Sequence, residues 1–264
     1  MLTQLLISLK IGFPILSSLL HFASSQKPTN CNVPPGMWCD SPEIAQLCRV
    51  TQQCDHVNAT SSVRMKLQIL YDPKCPYCQA FFNDILYPEV WRNLRQIVDL
   101  DLIPYGNAQE RKDPVTGETT ITCFHGPEEC EQIRLHACVM RYEPDRSVWF
   151  PFIRCMMYQL SRRRPAQYSQ DLCFQQEYIS STNQQNILRC KNGQEGKDLT
   201  MRMGRKTRNV WPVKKDYVPW IVVNGVSSYQ LQDIRKTLPT FICNNYRMYD
   251  KRRFCKKYTD MHKV

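Results

Sequence analysis

Beyond its first 25 or so residues, the chain has no run of 18 apolar residues, so the mature sequence offers no helix to span a membrane. It has no second CxxC and no histidine pair at close spacing, which counts against a metal site of the zinc type. No nucleotide, flavin or metal-binding motif appears. Acidic residues are the minority, 24 against 35 Lys and Arg. The basic excess is scattered, with small clusters at Arg162–Arg164, Arg202–Arg208 and Lys251–Lys257. No nucleic-acid motif stands beside it, so it reads as a basic solvated surface and no nucleic-acid partner is expected.

What the chain has in excess is cysteine, 14 in 264 residues. A reducing cytosol does not suit that number. The amino terminus accounts for it. Ile11 to Ala23 is an apolar stretch broken by Pro14, Ser17, Ser18 and His21, and small residues Ala23, Ser24 and Ser25 follow. This predicts a secretory signal peptide over residues 1–25. Its removal leaves a net charge of about +10. Asn58-Ala59-Thr60 is a glycosylation acceptor, with Asn58 as the modified residue, and fits the same route.

The chain is organised around Cys75-Pro76-Tyr77-Cys78. Met65 to Tyr71 alternates apolar and polar and predicts a strand. Ala80 to Leu86 predicts the first turns of a helix. Two thiols two residues apart at a strand-to-helix junction suit a redox dithiol. Cys75 would sit at the helix N-terminus, where free N–H groups and the helix dipole favour a thiolate, and Cys78 would resolve a mixed disulfide. Pro76 stiffens the turn and withholds a donor. A structural bridge or half of a metal site are the competing local readings.

Residues 26–62 predict a cysteine-rich segment, carrying Cys31, Cys39, Cys48 and Cys54, followed by a linker. Ser41-Pro42 is a helix start within it, and Gln53 to Ser62 reads as polar linker. Residues 63–246 predict the main domain, with a helical insertion over about 121–208, and 247–264 a basic tail. Ile97 to Ile103 predicts a second strand, parallel to the first across the intervening helix. Tyr105 to Thr120 reads as loop, Pro127 to Met140 and Trp149 to Leu160 as helices, Asp171 to Arg189 as one or two more, and Asn192 to Arg208 as loop. Tyr217 to Val226 predicts a strand entering an Asn-Gly hairpin turn. Leu231 to Tyr246 reads as a helix interrupted by Pro239. The assembled order is a thioredoxin-like α/β fold with a helical insertion, preceded by a small disulfide-rich segment. In that fold Val218-Pro219 is placed to be a cis bond lying against the CxxC, so Pro219 and Val218 join Pro76 as active-site support.

Cys123-Phe124-His125-Gly126-Pro127-Glu128-Glu129-Cys130, then Cys138, resembles the signature of the gamma-interferon-inducible lysosomal thiol reductase family, of an invertebrate type. That signature reads Cys-Gln-His-Gly, two residues, Glu-Cys, two residues, Asn, four residues, Cys. Phe124 stands where the family has Gln, and Ile133 where it has Asn. Pro34 to Cys54 and Val218 to Gly225 are similar to further family segments, so the likeness covers about residues 31–245. It implies reduction of protein disulfides at acidic pH, in lysosomes or after secretion, with Cys75 attacking and Cys78 resolving. It implies that the signature cysteines are structural. After the dithiol, twelve cysteines remain, an even number compatible with six bridges: Cys31, Cys39, Cys48, Cys54, Cys123, Cys130, Cys138, Cys155, Cys173, Cys190, Cys243 and Cys255. Their pairing is not legible. No cofactor is expected beyond a small-molecule thiol as reductant, and the partners are disulfide-containing proteins. An oxidase or isomerase of the same fold, and a non-enzymatic disulfide-stapled binding protein, are the alternative readings.

Overall fold

The computed structural model describes residues 31, 33, 37–59, 64–246 and 251–259. The expected signal peptide lies outside them, as does Thr60 of the glycosylation acceptor. Asn58 falls within a helix, and its side chain is likewise outside the described residues.

Strand β1 (Met65–Tyr71) runs parallel to β2 (Val98–Pro104), with Met65 opposite Val98 and Tyr71 opposite Pro104. Helix α3 (Pro76–Phe81), a wider π-helical stretch (Phe82–Trp91) and a last turn, α4 (Arg92–Leu94), make the crossover between them. Pro88 lies inside the π-helical stretch, where its missing N–H breaks the regular ladder. Strand β6 (Trp220–Val223) lies antiparallel on the other side of β1. Asn224 and Gly225, both at positive φ, turn the chain into β7 (Val226–Ser227). A two-residue strand, β5 (Trp211–Pro212), closes the edge, giving the order β2-β1-β6-β7-β5. A parallel βαβ unit joined to an antiparallel hairpin and followed by helix is the thioredoxin-like arrangement, and the fold is α/β.

Alternation along β1 sets the two faces. Leu67, Ile69 and Tyr71 point into the larger core with Leu100, Leu102, Ile221 and Val223. Leu70 packs on the opposite face with Ile103, Trp220 and Val222. The helical insertion comprises α5 (Pro127–Tyr142), α6 (Arg146–Ser161), α7 (Ala166–Gln176), α8 (Ser181–Asn192) and α9 (Gln194–Arg208). Phe150, Phe152 and Met156 of α6 enter the larger core and bind the insertion to the sheet.

The structure corrects several sequence readings. Residues 194–208 are a helix, not a loop. Gly204 serves close approach: a Cβ there would sit 2.8 Å from the Tyr105 ring and would press on Glu110 Oε1. Within the expected loop of 105–120, β3 (Gln109–Lys112) pairs antiparallel with β4 (Thr119–Thr122). Its exposed polar side chains hid the alternation. The expected linker holds α2 (Thr51–Ala59), which Cys54 ties to the core of the small segment. Pro239 opens α11 (Leu238–Asn245) rather than interrupting a longer helix.

Among the described residues, the segments toward both ends are packed. The amino-terminal segment, with α1 (Pro42–Leu47), packs Trp38, Ala45 and Val50 against Val226 of the sheet. The tail forms α12 (Lys251–Thr259), held to α11 by the Cys243–Cys255 bridge. Tyr258 is buried, and its hydroxyl contacts Glu89 Oε2 at 2.7 Å. No helix among the described residues is long and apolar enough to cross a membrane.

Candidate active site

Twelve of the fourteen cysteines are paired: Cys31–Cys48, Cys39–Cys54, Cys123–Cys130, Cys138–Cys190, Cys155–Cys173 and Cys243–Cys255. The two that remain free are Cys75 and Cys78.

Local sequence explains how they are held. Asp72 directly follows β1, and its Oδ1 accepts from the Lys74 N–H at 2.9 Å, an Asx turn. The Cys75 N–H donates to the Asp72 carbonyl at 3.2 Å. Cys75 is then the N-cap of α3, with Pro76 at the first helical position. Gln79 reaches back to donate to the Pro73 carbonyl at 3.0 Å, which closes the loop. Tyr77 projects to solvent, 79% exposed.

The electrostatics separate the two thiols. The Cys75 pKa is lowered to about 6, first by the hydrogen bond from the Cys78 thiol, against burial, and then by the N–H groups of Cys78 and Tyr77. Burial pushes the Cys78 thiol up, and the neighbouring Cys75 adds to this. One thiol is prepared to be a thiolate; the other is held as a thiol.

The supporting residues converge by register. Leu70 pairs with Trp220, so Pro219 stands level with the end of β1 that leads into the dithiol loop. The Val218–Pro219 peptide is cis, and both residues are buried. A second cis bond, Trp211–Pro212, had no signal in the sequence beyond the proline itself.

The structure also brings in residues from the signature segment. The Cys123–Cys130 bridge closes a turn over the start of α5, and His125 within it faces Asp72. His125 Nδ1 lies 3.1 Å from Asp72 Oδ2 and also hydrogen-bonds Glu129 Oε2. Glu129 Oε2 accepts from the His125 backbone N–H at 2.8 Å. Asp72 and Glu129 are fully buried, and Gly106 helps to cover Asp72: a Cβ there would meet the Asp72 Cβ at 2.6 Å. Burial, then the Glu129 carboxyl, raises the Asp72 pKa to about 7. Partial burial works to lower the His125 pKa, but Asp72 and Glu129 outweigh it and the net direction is up. These three ligand atoms lie within 4.8 Å of one another. Nδ1 lies within hydrogen-bond distance of both carboxyls, so the trio is a hydrogen-bonded cluster. The signature segment carries both His125 and Glu129, but Asp72, 53 residues away, joins them only in the fold. Lys74 does not stand free beside Cys75; it pairs with Glu128.

A lowered thiol beside a raised one, at a strand-to-helix junction of a thioredoxin-like sheet, defines a thiol oxidoreductase. The comparisons agree. A family described as "Gamma interferon inducible lysosomal thiol reductase (GILT)" matches residues 66–178. The goldfish (Carassius auratus) gamma-interferon-inducible lysosomal thiol reductase is 32% identical over 219 residues, covering 83% of this chain and 82% of its own. An Arabidopsis thaliana gamma-interferon-responsive lysosomal thiol protein is 32% identical over 193 residues, 73% of this chain and 76% of its own. The mouse reductase of the same name as the goldfish protein is 28% identical, over 74% of this chain and 73% of its own. Among solved structures, an oxidoreductase DsbA from Xylella fastidiosa aligns at 14% identity with a TM-score of 0.44, over 69% of this chain and 87% of that one. The strand order, not this last likeness, assigns the fold. The chain belongs to the gamma-interferon-inducible lysosomal thiol reductase family.

Proposed function

We propose that this protein reduces disulfides in protein substrates in an acidic compartment, with Cys75 as nucleophile and Cys78 as resolving thiol. The observation that carries the reading is the contrast among the cysteines. Six pairs are closed, and the one free pair holds a thiol with its pKa at about 6.

The exchange follows from that geometry. The Cys75 thiolate attacks one sulfur of a substrate disulfide, forming a mixed disulfide and releasing one substrate thiolate, which takes a proton from solvent. Cys78 loses its proton, attacks Cys75 Sγ, and frees the second substrate sulfur as a thiol. The products are a reduced substrate and an oxidised Cys75–Cys78 pair. Two equivalents of a small-molecule thiol restore the pair, and are themselves oxidised to a disulfide. At pH 5 a thiol of pKa about 6 is about 10% thiolate, whereas an ordinary one near 8.5 is about 0.03%. Acid activity therefore depends on the lowered Cys75.

The relatives named as lysosomal support a lysosomal or secreted address. The signal peptide at 1–25, the glycan on Asn58, the invertebrate-type assignment and the division at residues 62, 121, 208 and 246 belong to the same proposal. A secreted oxidase or isomerase would share every residue of the site and differ in redox potential.

Insulin reduction by the mature protein, with a small thiol as reductant, tests the reading at pH 4.5–5.5 and at pH 7 beside Cys75→Ser. Acid activity that the variant lacks supports it. A folded protein with a reducible Cys75–Cys78 pair and no activity at either pH overturns it in favour of a binding protein.

A further inference from the structure

The cluster of Asp72, His125 and Glu129 adjoins the dithiol yet forms no bond in the exchange just described. Its members come from two elements. Asp72 directly follows β1, three residues before Cys75, whose N–H donates to its carbonyl, and its backbone N–H faces the Cys78 sulfur. His125 and Glu129 lie at the start of α5. The Cys123–Cys130 bridge and the double hold of Glu129 on His125, through backbone N–H and ring, fix the imidazole against Asp72. The His125 side chain is 30% exposed, and the two carboxyls are fully covered. Glu129 Oε1 has no hydrogen-bond partner among the described residues. Two buried carboxyls in contact cannot both be charged cheaply without a cation between them.

We propose that His125 is a positioning residue for the dithiol: held between Asp72 and Glu129, its imidazolium cancels carboxylate charge that would otherwise stand beside Cys75, and so preserves the Cys75 thiolate in acid. This rests on the reading of Cys75 as nucleophile.

The charge count gives the sign. With one proton shared by the two carboxyls and one on the imidazole, the cluster is neutral. Loss of the shared proton leaves one net negative charge, and loss of the imidazolium proton leaves two. Asp72 is the member whose charge opposes the Cys75 thiolate. Acidification therefore removes the opposing charge as it also supplies protons, and the two trends compete at Cys75. Without the imidazole, the cluster with its shared proton is already an anion in acid. The other charged groups facing it are the Lys74–Glu128 pair at its rim and Lys215, from the connection between β5 and β6. Lys215 is engaged by Asn107 Oδ1 at 2.6 Å, and Lys74 by Glu128, so neither replaces the imidazolium between the two carboxyls.

The test is the pH dependence of Cys75 alkylation by iodoacetamide in the reduced protein, read by mass spectrometry with the six disulfides verified intact. It needs no protein substrate, so its outcome is separate from that of insulin reduction. His125→Asn is expected to raise the alkylation midpoint by about one pH unit, about tenfold slower at pH 5. In an Asp72→Asn background the same change is expected to slow alkylation by less than about threefold, because the opposing charge has gone. An unchanged midpoint in His125→Asn, or an equal slowing in both backgrounds, overturns the proposal.

Discussion

Helices α3 and α5 begin alike and do different things. Each has proline at its first position and no side-chain cap. Each start carries two cysteines, three positions apart at Cys75 and Cys78 and seven apart at Cys123 and Cys130. Each also carries an anionic group beside the positive end of its dipole. In α3 that anion is the Cys75 thiolate. In α5 the first turn carries Glu128 and Glu129, and the cysteines are closed into a bridge. The difference teaches that a helix start lowers a thiol only where a thiol occupies it. Where carboxylates sit in the first turn, the cysteines are left to staple. Two contacts join the two starts, Asp72 to His125 and Lys74 to Glu128; deeper along α5, His136 Nδ1 meets the Tyr71 hydroxyl of β1 at 2.9 Å.

The largest break in this comparison comes from exchanging cysteine for serine. Cys75→Ser is expected to reduce insulin reduction by about 10³-fold or more, with little change in melting temperature. Replacing Cys123 and Cys130 together by serine should do the reverse in kind. Stability is expected to fall by about 2–3 kcal/mol in denaturant titration, with activity retained within severalfold. Equal losses of activity from both would mean that the α5 start belongs to the chemistry.

The contact between Tyr71 and His136 sharpens the comparison by pH. Burial pushes the His136 pKa down to about 3, well below its ordinary 6.5. A depressed group of this kind contributes stability above the ordinary pKa and loses it as pH falls toward the folded one. From pH 6.5 to 5 that loss is about 2 kcal/mol. Asp72 works the other way, because its raised pKa gives stability below 3.8 that fades as pH rises through about 7. His136→Phe should therefore lose less stability than wild type between pH 6.5 and 5. Parallel pH slopes for the two proteins would remove His136 from the account.

Lys74 and Glu128 supply the smallest effect. Both side chains are partly exposed, at 28% and 48%. Lys74→Ala is expected to cost under about 1 kcal/mol, and the cost should shrink further in 0.5 M salt. A larger, salt-insensitive loss would show the two helix starts to be tied by packing at this point.

Much of the fold was legible where periodicity and burial agree. Met65–Tyr71 alternates because one strand face meets the helices and the other the small core of Leu70 and Trp220. The helix of Trp149–Leu160 announced itself because it is apolar on most sides. The readings that failed share a physical cause. In α9 and in the β3–β4 hairpin, few side chains are buried, and glycine at 204 answers to a neighbour, Glu110, far back along the chain in β3. The dithiol itself was legible because its spacing and its place after a strand are local. The cluster around His125 was not, because Asp72 and Glu129 acquire their meaning only from covering by residues such as Gly106.

The bridge from Cys243 to Cys255 gives the carboxyl end a particular durability. A protease that cuts anywhere between these cysteines severs the backbone but releases nothing, since α12 stays covalently fastened through a sulfur pair that is fully buried. On a non-reducing gel such a nicked chain runs as one species, and only reductant separates the fragment. For a protein proposed to work among proteases, the tail behaves as a repair that is made before the damage.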